Sequence, residues 1–95
     1  MTVLNTLSQP ALSPQGLKDT LALLRPNDTL LLLQDAVVMA CQPRFTETLA
    51  DFELYVLSDD LTARGLALCA NSPAKLIDYA GFVALSCQHQ NQVTW

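Results

Sequence analysis

The three cysteines of this chain, Cys41, Cys69 and Cys87, are the residues best suited to covalent chemistry. Their odd number, wide spacing and lack of a CxxC pair indicate neither a disulfide framework nor a zinc site. A cysteine can carry a persulfide, but a thiol reacts readily only as an accessible thiolate. Cys41 ends an apolar segment that predicts burial, and the other two lie near predicted helix ends, where the negative end of the helix dipole disfavours a thiolate. Cys41 and Cys69 are therefore candidate sulfur carriers, and the alternative for each cysteine is a small buried apolar side chain.

Acidic residues follow two of the predicted strands. Asp35 comes just after an aliphatic run, and Asp59 and Asp60 follow the next strand along the chain. The carboxyl ends of parallel strands are where α/β folds place their sites, so Asp35 and Asp59 are candidate site residues. The alternative is that these carboxylates cap the following helices by accepting backbone N–H groups.

The sequence predicts no cofactor and no metal. Its three glycines, Gly16, Gly65 and Gly81, stand alone, whereas phosphate-binding loops need clustered glycines whose N–H groups converge. Its one histidine, His89, lies in a polar stretch without the several converging ligands that a metal site needs. We therefore expect His89 to be an ordinary surface residue.

The charge pattern argues against direct binding of nucleic acid. The net charge is −4 and the five basic residues are scattered, whereas a protein that grips nucleic acid usually shows a basic patch. Charged residues make up 15% of the chain, against about 25% in ordinary soluble domains. We expect part of the surface to lie under another subunit, because obligate interfaces are apolar. The alternative is a monomer with a neutral polar surface.

Neither an export signal nor a membrane span is predicted. The aliphatic run at residues 30–33 is far shorter than the roughly 20 apolar residues that a membrane helix needs. No basic region precedes an apolar stretch at the first residues, as a signal peptide would require. We expect a cytoplasmic protein that does not contact a membrane.

Strand-like runs alternate with helical patterns along the chain. Leu17, Leu21 and Leu24 recur at helical spacing after the helix start Ser13-Pro14, and Ser58 is the expected N-cap of a later helix. Strands are predicted at 2–7, 29–33, 54–57, 74–78 and 93–95, and helices at 14–24, 36–41, 45–49, 61–68 and 79–87. This alternation predicts one α/β domain over residues 1–95, with a mostly parallel sheet of four or five strands and helices on both faces.

Four blocks of sequence, taken in order, resemble the TusB or DsrH family of sulfur-relay subunits. They are residues 3–10 (VLNTLSQP), 28–37 (DTLLLLQDAV), 54–66 (LYVLSDDLTARGL) and 76–85 (LIDYAGFVAL), and a closing Trp95 is also typical of the family. The chain departs from the family pattern at Asn5, where His is frequent, and at Ala36, where Gly is frequent. Thr20 is the nearest match to a cysteine that some members of the sulfur-oxidising branch carry in the first helix, which favours the tRNA branch.

The resemblance implies a doubly wound, flavodoxin-like fold of the DsrEFH type. It also implies assembly with TusC-like and TusD-like subunits in a heterohexamer. That complex receives persulfide sulfur through a TusA-like carrier and passes it to a TusE-like carrier, for 2-thiouridine synthesis at the wobble position of tRNA. Because the sulfur-carrying cysteine would belong to the TusD-like subunit, this chain would be a non-catalytic subunit. The alternatives are a DsrH-type subunit of a dissimilatory sulfur-oxidation complex and a sulfurtransferase that uses Cys41 or Cys69.

Aromatic residues of the last predicted helix and strand are candidate partner contacts. Tyr79 and Trp95 are of the type enriched in binding hot spots, whereas Phe82 is expected to lie in the core. An apolar interface without its partners often pairs with itself, so we expect homo-oligomers when the chain is purified alone.

Overall fold

The chain folds around a five-stranded sheet in a computed structural model that describes residues 3–24, 28–89 and 92–94. The strands are β1 (Leu4–Leu7), β2 (Thr29–Leu32), β3 (Glu53–Leu57), β4 (Lys75–Ile77) and β5 (Gln92–Thr94). They lie in the order β4-β3-β2-β1-β5, and each neighbouring pair is parallel. The predicted α/β class is confirmed. Thr2 and Trp95, the predicted outer ends of the first and last strands, lie outside the described residues.

Two of the described helices, the first and the last, begin at residues whose side chains cap a free backbone N–H group. The helices are α1 (Pro14–Leu21), α2 (Thr46–Leu49), α3 (Ser58–Ala63) and α4 (Tyr79–Gln88), with 3₁₀ segments at Gln34–Cys41 and Pro43–Phe45. Ser13 Oγ accepts from Gly16 N–H at 3.1 Å and confirms the predicted start of α1. Asp78 Oδ1 accepts from Gly81 N–H at 2.7 Å, so Asp78 caps α4 instead of ending the preceding strand.

Three predicted helices differ from the structure. The helix predicted at 14–24 ends at Leu21, and residues 22–24 form a turn. The segment predicted as a helix at 36–41 is a 3₁₀ segment that already starts at Gln34. The helix predicted at 61–68 runs from Ser58 to Ala63, so Ser58 is its first residue and not its cap. The helix ends early because Gly65 takes a left-handed φ of 65°, which terminates helices. Residues 66–74 then form a loop.

The strand order decides which face of the sheet each connection covers. From β1 to β4 the chain advances across the sheet in one direction, so right-handed crossovers put these connections on one face. The connection from β4 to β5 returns across the whole sheet, so α4 lies on the opposite face. We call the first side the packed face and the side under α4 the open face.

The two faces have separate apolar clusters. On the packed face, strand residues such as Leu30, Leu32 and Val56 meet the connections between β1 and β4. Among the described residues, that cluster holds fourteen buried side chains: Leu7, Leu17, Leu21, Leu30, Leu32, Ala36, Val37, Met39, Ala40, Phe45, Leu49, Leu54, Val56 and Leu61. On the open face the buried cluster is Leu4, Leu31 and Leu85, with Tyr55 and Phe82 partly buried against it.

Candidate functional site

An arginine lies between two carboxylates just beyond the carboxyl ends of β2 and β3. Arg64 Nε and Nη2 each lie 3.0 Å from Asp35 Oδ1, and Arg64 Nη1 lies 3.7 Å from Asp60 Oδ1. The side chain of Asp35 is 67% exposed, so this is a solvated ion-pair cluster that contributes little to stability. Asp35 does not cap the 3₁₀ segment, because the cap position is Leu33 and has no side-chain cap bond.

The backbone bends sharply next to this cluster. Gln34 has a φ of 51°, a left-handed conformation that costs a non-glycine residue roughly 1–2 kcal/mol. Its N–H donates to Asp60 Oδ2 at 2.6 Å, so the carboxylate helps to hold the bend. Asp59, the predicted site residue, is exposed, and its neighbour Asp60 makes these contacts. The functional roles suggested for Asp35 and Asp59 remain predictions.

The structure brings two of the three cysteines into one region. Cys69 N–H donates to the carbonyl of Ala40 at 3.3 Å, which places Cys69 beside the chain at Cys41. Cys69 Sγ lies 3.7 Å from Thr46 Oγ1, and Cys41 Sγ donates to Val37 O at 3.5 Å. Both cysteines are half-buried, whereas Cys87 is exposed on α4.

The environment of Cys41 disfavours its thiolate. Burial raises the pKa of the Cys41 thiol, and the nearby sulfur of Cys69 raises it further. A sulfur nucleophile at neutral pH needs the opposite shift. The sulfur-carrier role suggested for Cys41 and Cys69 therefore gains no support from electrostatics at Cys41 and remains a prediction.

His89 is not the ordinary surface residue that the sequence indicated. Its Nδ1 lies 2.8 Å from the carbonyl of Leu85, and because a carbonyl can only accept, Nδ1 carries a proton. Its Nε2 lies 3.2 Å from Thr29 Oγ1, so a neutral ring accepts from that hydroxyl. The imidazole thus ties the end of α4 to the start of β2, and the polar tail sequence gave no sign of this contact.

One side of α4 presents apolar residues to solvent. Tyr79 is 61% exposed and Val83 is 48% exposed, and Ala80 and Ala84, which follow them directly in the chain, are also exposed. Tyr79 also packs edge-on against Phe82, with ring centroids 5.9 Å apart. We call these four exposed residues the α4 face. The predicted contact Tyr79 lies on it, and the predicted contact Trp95 lies outside the described residues.

Neither a metal cluster nor a membrane helix is present in the described part of the chain. Within residues 3–24, 28–89 and 92–94, no three His, Cys, Asp or Glu side chains converge to hold a metal ion. No helix in those same ranges has the length and apolar character to cross a membrane.

Comparison with known proteins assigns this fold to a family. The model of the family described as "DsrH like protein" matches residues 11–92, so the chain belongs to the DsrH family. Among similar curated proteins is TusB of Escherichia coli (strain K12 / DH10B), 44% identical over 78 residues, which cover 79% of this chain and 82% of that protein. TusB of Salmonella enteritidis is 41% identical with the same coverage. The family suggested by the four sequence blocks is confirmed.

Two solved structures share the fold at low sequence identity. The crystal structure of the ychN protein from E. coli superposes with a TM-score of 0.70 at 15% identity and covers 100% of both chains. The solution structure of Tm0979 from Thermotoga maritima gives a TM-score of 0.65 at 24% identity, covering 92% of this chain and 93% of that chain. At these identities the likeness concerns the fold alone.

Proposed function

We propose that this chain is a non-catalytic subunit of a TusBCD-like sulfur-relay complex, which supports 2-thiolation of the wobble uridine of tRNA. Its direct partners would be TusC-like and TusD-like chains in a heterohexamer, with TusA-like and TusE-like carriers delivering and removing sulfur. Membership of the DsrH family and similarity to proteins named TusB support this proposal. We place the complex in the cytoplasm, where thiols stay reduced.

The observation that carries the proposal is the α4 face. The helix has ten residues and no charge, and among them only Leu85 is buried. The outward side of a helix on a monomer is normally polar, whereas contiguous exposed apolar side chains mark an interaction surface. A related α/β chain docked on α4 would cover Val83 and use Tyr79 as an aromatic anchor.

The chemistry of the chain fits a supporting role. Cys41 is half-buried and its pKa is raised by burial, so the reactive sulfur is better placed on the TusD-like partner. The net charge of −4 also favours a subunit that leaves contact with tRNA to other proteins.

Co-expression tests the assembly. The tagged chain is produced with its genomic neighbours, and the purified species is analysed by size exclusion with light scattering. We expect a complex with two related small α/β chains. A monodisperse monomer that retains neither neighbour would overturn the proposal.

A charge placed on the α4 face tests the surface itself. Val83→Glu should weaken the complex by about tenfold or more, because the carboxylate would be buried without a partner. Leu23→Glu is the matched control: Leu23 is 72% exposed, lies just beyond α1, and should leave the assembly intact. Equal loss with both variants would contradict α4 as the interface.

The pathway is tested separately from the assembly. Deleting the gene should lower wobble 2-thiouridine, measured by mass spectrometry of digested tRNA. Normal thiolation with an intact complex would instead favour a DsrH-type subunit of sulfur oxidation. One added sulfur mass on the Cys41 or Cys69 peptide, after treatment with a persulfide donor, would favour a sulfurtransferase.

A further inference from the structure

The region around Cys41 and Cys69 holds two thiols that secondary structure alone would not bring together. Cys41 ends the 3₁₀ segment Gln34–Cys41, and Cys69 lies in the loop at 66–74. The backbone bond from Cys69 N–H to Ala40 O, at 3.3 Å, links the two segments. Cys69 therefore lies against Ala40, the residue that precedes Cys41, and its thiol is close enough to raise the pKa of the Cys41 thiol. A disulfide requires the two cysteine Cα atoms to lie within about 4.4–6.8 Å of each other.

We infer that Cys41 and Cys69 form an oxidisable dithiol pair, which closes into a reversible intrachain disulfide when a peroxide reaches the 66–74 loop. Each sulfur gives up only a weak contact to do so: Cys41 Sγ leaves the carbonyl of Val37, and Cys69 Sγ leaves the hydroxyl of Thr46. The pair would behave in this way whether or not the chain belongs to a sulfur relay.

The two thiols take different steps in the oxidation. The Cys69 thiolate attacks a peroxide oxygen, the O–O bond breaks, and the released hydroxide takes up a proton to leave as water. Cys69 is then a sulfenic acid. Cys41 loses its proton and attacks that sulfur, the S–S bond forms, and the sulfenic oxygen leaves as a second water. The two thiols lose two electrons and the peroxide gains them. Cys41 takes the second step because burial raises the pKa of its thiol.

The bond would fix the loop onto the packed face. Leu66, Leu68 and Ala74 of this loop already pack, partly buried, against the packed-face cluster. A disulfide removes freedom from the unfolded chain, and it would also hold the loop that leads directly into β4. Oxidation is therefore expected to stiffen the segment between α3 and the edge strand.

The tryptic map of the chain allows a direct test. Cleavage after Lys18, Arg44, Arg64 and Lys75 puts Cys41 on peptide 19–44 and Cys69 on peptide 65–75. Full-length protein carrying Cys87→Ser is treated with equimolar hydrogen peroxide at low protein concentration, alkylated and digested. We expect the two peptides joined, two hydrogen masses lighter than their sum, and separated again by dithiothreitol. The oxidised protein should also melt several degrees higher than the reduced protein.

Two controls decide the outcome. In a mixture of ¹⁵N-labelled and unlabelled protein, the joined peptides should carry the same label, and mixed labels would overturn the intrachain pair. In Cys41→Ser, Cys69 should stop at a sulfenic acid that dimedone traps. If both thiols of the Cys87→Ser protein stay open to alkylation, or end as sulfinic acids without a linked peptide, the dithiol pair is refuted.

Discussion

The two faces of the sheet differ in how much of their apolar surface the chain itself can bury. Fourteen described residues form the buried cluster of the packed face, and three form that of the open face. The difference follows from topology, because the connections between β1 and β4 share one face and α4 alone crosses the other. One face is a self-sufficient core. The other is completed by contact with another chain, if the proposed assembly is correct.

Alanine substitutions of two adjacent leucines in β2 should change the free energy of unfolding the most, and they test the difference between the two faces directly. Leu31 and Leu32 are both 0% exposed in β2 and point to opposite faces. Leu32→Ala should lower the free energy of unfolding by about 3–4 kcal/mol, and Leu31→Ala by about 2 kcal/mol, because α4 can shift to fill the smaller cavity. Urea denaturation measures both. Equal losses would show that the open face is packed as rigidly as the other.

Variants within α4 separate its inward side from its outward side. Leu85→Ala should cost about 2 kcal/mol, because Leu85 is the buried residue of the helix, whereas Val83→Ala should cost less than about 0.5 kcal/mol in the isolated chain. Hydrogen exchange should show Leu85→Ala opening α4 while the strands of the packed face stay protected. Loss of protection in both places at once would mean that the two faces unfold as one unit.

Two variants of Gln34 test whether the bend after β2, where the chain turns onto the packed face, stores backbone strain. Gln34→Gly should raise the free energy of unfolding by about 0.5 kcal/mol, because glycine adopts a positive φ without a steric cost. Gln34→Val should lower it by at least about 1 kcal/mol, because a β-branched residue tolerates that conformation worst. Thermal unfolding of the two variants provides the comparison. A more stable valine variant would show that the bend relaxes away from its left-handed conformation.

The smallest expected effect is a pH dependence of the free energy of unfolding, to which one titratable residue on each face contributes. On the open face, the hydrogen bond to Glu53 raises the pKa of Tyr55 above 10.0, with burial and the charge of Glu53 acting in the same direction. On the packed face, burial and then Cys69 raise the pKa of Cys41 above 9.0. A raised pKa gives stability that is complete below the unfolded value and lost as pH rises through the folded value.

The free energy of unfolding should therefore decline above about pH 9, first through Cys41 and then through Tyr55. Tyr55→Phe should flatten the decline above pH 10 and leave the earlier part unchanged. Denaturant titrations between pH 7 and 11 measure both parts. A decline identical to that of the parent chain would remove Tyr55 as a contributor.

What the sequence predicted well is local. The aliphatic run of β2 predicts a strand buried on both sides, and Ser13-Pro14 predicts the start of α1. Both predictions succeed because each signal is contained within a few consecutive residues. Gly65 is also a local signal for the end of a helix, and the prediction of a helix at 61–68 was wrong because that helix would run through Gly65.

The features that the sequence did not predict are contacts between residues far apart along the chain. His89 contacts Thr29 across 60 positions, and Asp60 holds the N–H of Gln34 across 26. The approach of Cys69 to Ala40 likewise depends on where the 66–74 loop settles after α3. No local pattern encodes such contacts, because they depend on the strand order, which a single sequence does not reveal. The sequence pointed to Asp59, whereas its neighbour Asp60 makes the contacts. The rotation of successive residues about the helix axis decides which of the two carboxylates turns inward.

The position of β5 beside β1 has a kinetic consequence. The first four strands pair with partners that are near in sequence, whereas Thr6 Oγ1 meets Val93 O across 87 positions. Closing so long a loop costs more chain entropy and slows the pairing step. We expect β1 to β4 to pair first, with β5 adding to the edge of β1 only after α4 has crossed the sheet. Until then, the outer edge of β1 is an unpaired strand edge, where another chain can add in register.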